Sequence, residues 1–330
     1  MIAGRRRRTA SGSLHPMRMG WRPGRAAALR RRDGYGWEEP LPATPCGPLV
    51  ARRAGGSGPP VLLLHGLPAS GRVWGGTFDR LGAGHRLLVP DLLGFGDSPW
   101  PPSGYTLEGH AAAVVAAMAA AGVDDAPGVV AGHSFGALVA LALAHHHPRL
   151  VGALVLLAPP LYRDAAEARA ATRRALTWTE RTFCTDTRSS RQLCRAMCMR
   201  RPWLARRVAT GYRPELPLAV ALDGVRHTWE SYSQSFAEVV AATARPAWMV
   251  EAGVPVRLLT GGSDRLPDVG LLEELAAAHP RIRLQVLAGA DHLIPLSHPG
   301  RCLAAIEELA AAVGRGAEAR PEYPSPSTTE

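Results

Sequence analysis

Six short apolar runs constrain this chain more than anything else in it: Val61–His65, Arg86–Pro90, Gly128–Gly132, Ala153–Ala158, Val256–Thr260 and Arg283–Leu287. Runs of Val and Leu that do not alternate with polar residues suit strands covered on both faces, as in a parallel sheet. Helical patterns lie between them, at about 107–121, 135–147, 268–278 and 300–313. Strand and helix in alternation predict an α/β fold, a doubly wound sheet with its sites at the carboxyl ends of the strands. The alternation fails once. From about residue 160 to 254 no strand run appears, the composition is helical, and Trp178, Trp203, Trp229, Trp248, Phe183 and Phe236 fall there. So long a stretch is no loop, and it reads as an inserted helical subdomain.

One motif sits where such a sheet would place chemistry. Gly132-His133-Ser134-Phe135-Gly136 follows the run GVVAG and precedes the apolar helix pattern 135–147. A G-x-S-x-G in that setting predicts a sharp strand-to-helix turn that exposes the Ser134 hydroxyl at a helix N-terminus. A hydroxyl needs a base to attack a carbonyl. His292, in Gly289-Ala290-Asp291-His292 directly after the run RLQVL, has the right address. His298, in Ser297-His298-Pro299 at the start of the last helix pattern, reads as a surface or capping residue. The imidazole needs an orienting carboxylate. Asp264, in Gly261-Gly262-Ser263-Asp264 after VRLLT, meets that need, with Asp268 and Asp164 as weaker candidates. Two N–H groups should stabilise an oxyanion: the backbone of Phe135, and that of Leu67 in His65-Gly66-Leu67-Pro68. The His65 side chain reads as a structural pin for this loop. The stretch Asp91–Ser98 reads as architecture, with Ser98 a solvated loop residue.

Composition removes other classes. The net charge of +10 is uneven: +9 over residues 1–53, −2 over 54–160, +7 over 161–250 and −4 over 251–330. All 38 basic residues are arginine, beside many Ala, Gly and Pro, so the basicity reads as genome composition. No nucleic-acid-binding signature accompanies it, and no specific nucleic-acid partner is expected. Cys46, Cys184, Cys194, Cys198 and Cys302 follow no disulfide framework, which fits reduced thiols and a cytoplasmic protein. Cys194 and Cys198 are spaced i,i+4 with no His nearby in sequence. The tract His145–His147 ends a helix pattern, where protonated His suits the dipole better than metal binding does. No run of about 18 apolar residues predicts a membrane span. The Arg5–Arg8 run lacks the apolar stretch of a signal peptide. Residues 1–45 and 314–330 read as a disordered arm and tail. That leaves 46–159 and 255–313 as the core and 160–254 as the insertion.

Taken together, HGLPASGRVW (65–74), PDLLGFGDS (90–98), GHSFG (132–136), GGSD (261–264) and GADH (289–292) resemble the α/β-hydrolase family in order and spacing. The resemblance covers about residues 48–313. It implies an eight-stranded, mostly parallel sheet with a helical lid (cap) at 160–254, and Ser134, Asp264 and His292 as a catalytic triad. HGLPAS is similar to the loop of haloalkane dehalogenases and epoxide hydrolases, but those use an Asp where this chain has Ser134. Esterases, perhydrolases and C–C bond hydrolases that use serine remain. The family's usual Gly before the His is Asp291 here. The expected activity is hydrolysis of a small, apolar carbonyl substrate through an acyl-enzyme, with no cofactor or metal required. A non-catalytic ligand receptor on the same fold is the alternative. Oligomeric state is open.

Overall fold

The computed structural model describes residues 37–175, 188–199, 206–207, 216–241 and 245–318. Eight strands form one sheet: β1 (Thr44–Cys46), β2 (Leu49–Gly55), β3 (Gly58–Leu64), β4 (His85–Pro90), β5 (Gly128–His133), β6 (Val151–Leu157), β7 (Val256–Gly261) and β8 (Ile282–Leu287). Their spatial order is β1-β2-β4-β3-β5-β6-β7-β8. β1 and β2 pair antiparallel with their neighbours, and every pairing from β4 to β8 is parallel. The expected α/β architecture is the observed one, including the strand count.

The Val/Leu runs are continuous because both faces of the sheet are covered. In β3 alternate side chains enter opposite cores, as a period of two requires. Leu62 and Leu64 join Val130, Leu154 and Leu258 under α1 (Leu107–Ala121) and α2 (Phe135–His146). Val61 and Leu63 join Val129, Val155 and Leu259 under the helix Pro299–Glu318. α2 is buried at every residue from Phe135 to Ala144, so it shows no polar face over that length. Each fully buried Leu or Val there stabilises the fold by about 1.5–3 kcal/mol. Thr106 caps α1 by accepting from the Gly109 amide, and Gly122 ends it in a left-handed conformation.

Four expectations need correction. First, β1 lies partly inside the expected arm of residues 1–45, and the Trp37 indole donates to the Arg72 carbonyl. The sheet therefore begins earlier, while residues 1–36 lie outside the described residues. Second, β2 had no counterpart among the apolar runs because it carries Arg52 and Arg53. The Arg52 side chain is buried, donates to the Gly71 carbonyl and pairs with Asp79. Third, the last helix extends to Glu318, past the expected boundary at 313. Fourth, the regular elements described between β6 and β7 are all helices, but the last of them, Arg245–Glu251, belongs to the main core. Met249 is buried there, and Trp248 stacks on His145 at the end of α2 with ring centroids 4.4 Å apart. Trp178, Phe183, Trp203 and the tail from 319 lie outside the described residues.

Candidate active site

The turn between β5 and α2 forces Ser134 into φ 53°, ψ −119°, a region that costs a residue with a side chain about 1–3 kcal/mol. The surroundings over-determine it. The Ser134 amide donates to the Leu157 carbonyl of β6 at 2.8 Å, and its carbonyl accepts from the Ala137 amide at 2.9 Å. Glycine is needed on both sides because the chain passes so close to itself. A Cβ on Gly132 would collide with the Gly136 carbonyl, and one on Gly136 with the carbonyls of Leu64 and His65. The result lifts the hydroxyl over the carboxyl edge of the sheet.

Three side chains predicted from the sequence meet there. His292 Nε2 lies 2.9 Å from Ser134 Oγ, and His292 Nδ1 lies 2.7 Å from Asp264 Oδ2. The second contact requires the Nδ1–H tautomer, which leaves Nε2 to accept from the hydroxyl. Asp264 is 3% exposed and His292 29%, so the pair is shielded on the carboxylate side and open on the imidazole side. The other Asp264 oxygen accepts from the Leu266 amide at 3.0 Å. The weaker candidates do other work. Asp268 caps the helix Val269–Ala278 through the Leu271 amide, and Asp164 accepts from the Glu167 amide. His298 ends the short helix Ile294–Ser297 and bonds to Ser297.

The first loop approaches from the other side. A Cβ on Gly66 would lie 2.9 Å from the Cβ of Ser134, so only glycine lets this backbone come so near. Leu67, expected from the sequence to supply one oxyanion donor, is the next residue of this loop, and Phe135, expected to supply the other, is the first residue of α2. His65 pins the loop as expected. Its Nδ1–H donates to the Gly66 carbonyl at 2.9 Å, and its Nε2 accepts from the Leu92 amide at 2.8 Å. Burial lowers its pKa to about 4 and keeps it neutral. Ser98, expected to be solvated, is instead buried. It donates to the Asp91 carbonyl and accepts from the Val50 amide, stitching β2 to the loop after β4. Asp91 accepts from the Gly71 and Asp97 amides, and burial raises its pKa to about 6.

Several partners had no sequence signal. His133 Nε2 lies 2.8 Å from the His292 carbonyl. The Tyr162 hydroxyl donates to the Leu266 carbonyl at 2.8 Å, beside Asp264; burial first, and then the charge of Asp264, push its pKa up. Asp291, in place of the family's glycine, accepts from the Leu293 amide and braces the loop. Cys194, with no His near it in sequence, meets His227 at 3.7 Å. Nothing in the spacing of residues 133, 162, 194 and 227 announces these contacts.

Comparison with known proteins identifies the family of this fold. The family model described as alpha/beta hydrolase fold matches residues 59–299. The chain is 30% identical over 250 residues to a probable lysophospholipase of Arabidopsis thaliana, BODYGUARD 4, covering 70% of this chain and 59% of that one. It thus spans less than two thirds of the length of that relative. It is 31% identical to a pimeloyl-[acyl-carrier protein] methyl ester esterase of Aromatoleum aromaticum, covering 76% of this chain and 98% of that one. Among solved structures, the esterase RhEst1 of Rhodococcus sp. ECU1013 superimposes with a TM-score of 0.61 at 23% identity, over 83% of this chain and 100% of that one. With a family match over residues 59–299 and the fold to go with it, the chain belongs to the α/β-hydrolase fold family.

Proposed function

We propose that this chain is a serine hydrolase that cleaves an ester-type bond of a small carbonyl substrate through an acyl-enzyme. The observation that carries the reading is the unbroken relay Ser134 Oγ, His292 Nε2, His292 Nδ1, Asp264 Oδ2, with spacings of 2.9 and 2.7 Å. His292 accepts the Ser134 proton as the hydroxyl attacks the carbonyl carbon. Asp264 holds the tautomer and stabilises the imidazolium. The Phe135 and Leu67 amides receive the oxyanion. The leaving alcohol takes the proton from His292, and water activated by the same imidazole then releases the acid. No step calls for a metal or cofactor. The described helices between β6 and β7 that precede Arg245 serve as a cap, through Asp223, which accepts from Ser70 at 2.5 Å and from Arg72 at 3.1 Å beside the first loop. An ester is favoured over a C–C substrate because the relatives matched over most of the chain are named for ester hydrolysis, one as a methyl ester esterase and one as a probable lysophospholipase.

Turnover of a p-nitrophenyl ester series tests this. Ser134→Ala should lower kcat by about 10³-fold or more, and Asp264→Asn by about 10³–10⁴-fold. A fluorophosphonate should label the wild-type chain at Ser134 and leave Ser134→Ala unlabelled. Turnover that survives Ser134→Ala would overturn the mechanism. Binding of carbonyl compounds without turnover or labelling would favour the receptor reading.

A further inference from the structure

His133 is the middle residue before the nucleophile in the turn motif, and the proposed reaction gives it no task. Its side chain is almost fully buried, and its Nε2 lies 2.8 Å from the carbonyl oxygen of His292. A carbonyl only accepts, so Nε2 carries the hydrogen and the ring is the neutral Nε2–H tautomer. Burial, and then the neighbouring His292, lower the pKa of His133 to about 3, which keeps that tautomer in place through the neutral range. The two rings sit 5.0 Å apart at 49°.

The location matters as much as the bond. His133 is the last residue of β5 and pairs with Leu157 of β6, while Gly132 beside it pairs with Leu64 of β3. One dipeptide therefore carries both the nucleophile and a donor to the main chain of its base, and both are fixed to the centre of the sheet. The first loop meets the same ring: a Cβ on Gly66 would lie 3.1 Å from His133 Nδ1. Base loop, nucleophile turn and first loop thus converge on a single imidazole. Elsewhere the base loop is held by the Ser263 amide of the loop after β7, which donates to the Ala290 carbonyl, and by the local bond from the Leu293 amide to Asp291. These shape the loop without tying it to Ser134.

We propose that His133 is a positioning residue, which sets the separation of the His292 imidazole from the Ser134 hydroxyl by donating a hydrogen bond to the His292 main chain. The inference rests on the serine-hydrolase reading above. It acts on geometry, and misplacement by about 1 Å costs on the order of 10²-fold in rate.

Three variants test it: His133→Leu, His133→Asn and His133→Gln. A glutamine amide reaches about as far as Nε2 and can donate to the carbonyl, while an asparagine amide stops near the position of Nδ1. Leucine and asparagine should lower kcat by about 10–100-fold with KM within about twofold, and slow fluorophosphonate labelling in step. Glutamine should recover kcat to within about fivefold of wild type. Should the leucine variant not fold, as thermal unfolding would reveal, the glutamine–asparagine pair still decides. Equal kcat for glutamine and asparagine, or a loss carried by KM, overturns the proposal. Ser134→Ala in the same assay separates the two failures. If it stays active, the hydrolase mechanism is wrong; if it is dead while all three His133 variants run at the wild-type rate, the positioning role alone is wrong.

Discussion

The loops over the carboxyl edge of the sheet and the helices between β6 and β7 are held by different forces. The loops are fixed by neutral, buried groups that bond to main chain: His65 to Leu92, His133 to His292, Tyr162 to Leu266 and Ser98 to Val50. The helices before Arg245 also meet the core through Val239 and a buried His110–Ser235 contact, but their outer contacts are charged: Arg226 with Asp97 and, within the insertion, Arg195 with Glu230. Neutral donors in a dry setting lose little to salt, whereas exposed ion pairs are screened and contribute at most about 1 kcal/mol. The loops that carry Ser134, Asp264 and His292 thus rest on bonds that salt barely touches, while the outer contacts of the insertion are ion pairs that salt screens.

Acid should expose this contrast most strongly. His65, His110 and His133 are buried with pKa values lowered to about 4, 3 and 3. Between pH 4 and 6 each is protonated in the unfolded chain and neutral in the folded one, so each loses stability as pH falls. Asp91, raised to about 6, holds a proton only in the folded chain over that window and opposes one of the three. The net is an uptake of about two protons on unfolding, a loss of about 3 kcal/mol per pH unit from these groups. Urea unfolding at pH 4.5 and 5.5 measures it. Stability that is flat across that range would show that the imidazoles are not the buried neutral pins described.

A smaller effect comes from the turn itself. Gly136→Ala drives a methyl into the Leu64 and His65 carbonyls, and should cost about 2 kcal/mol while slowing turnover by moving Ser134. Denaturant midpoints and kcat on one preparation check both, and a neutral result would mean that the elbow relaxes freely. Smallest of all, Asp97→Asn removes an exposed ion pair with Arg226. It should cost under about 1 kcal/mol at low salt and nothing resolvable in about 0.5 M salt. A larger, salt-independent loss would place the insertion among the rigid parts of the molecule.

What was legible in the sequence followed periodicity and local chemistry. Helices were placed within a residue or two at 107–121, 135–146 and 269–278, because caps such as Thr106 and Asp268 and unbroken apolar runs are local signals. Ser134, Asp264 and His292 were found because each follows a strand run directly. β2 escaped because a buried arginine looks like a surface one until Asp79 and the Gly71 carbonyl come to meet it. Ser98 was misjudged for the same reason: a small polar residue in a glycine-rich loop carries no mark of the Val50 amide 48 positions away.

By itself the chain determined that alternating strands and helices would form a sheet and that a strained serine would stand between β5 and α2, since both follow from residue order and local sterics. Only the tertiary structure decided that His133 would reach the carbonyl of a residue 159 positions away, that Asp291 would brace a loop, and that Arg245–Glu251 would pack with the core. Such contacts depend on where distant segments lie once the sheet has closed, and a hydrogen bond formed over 2.8 Å leaves no period or spacing in the sequence to read.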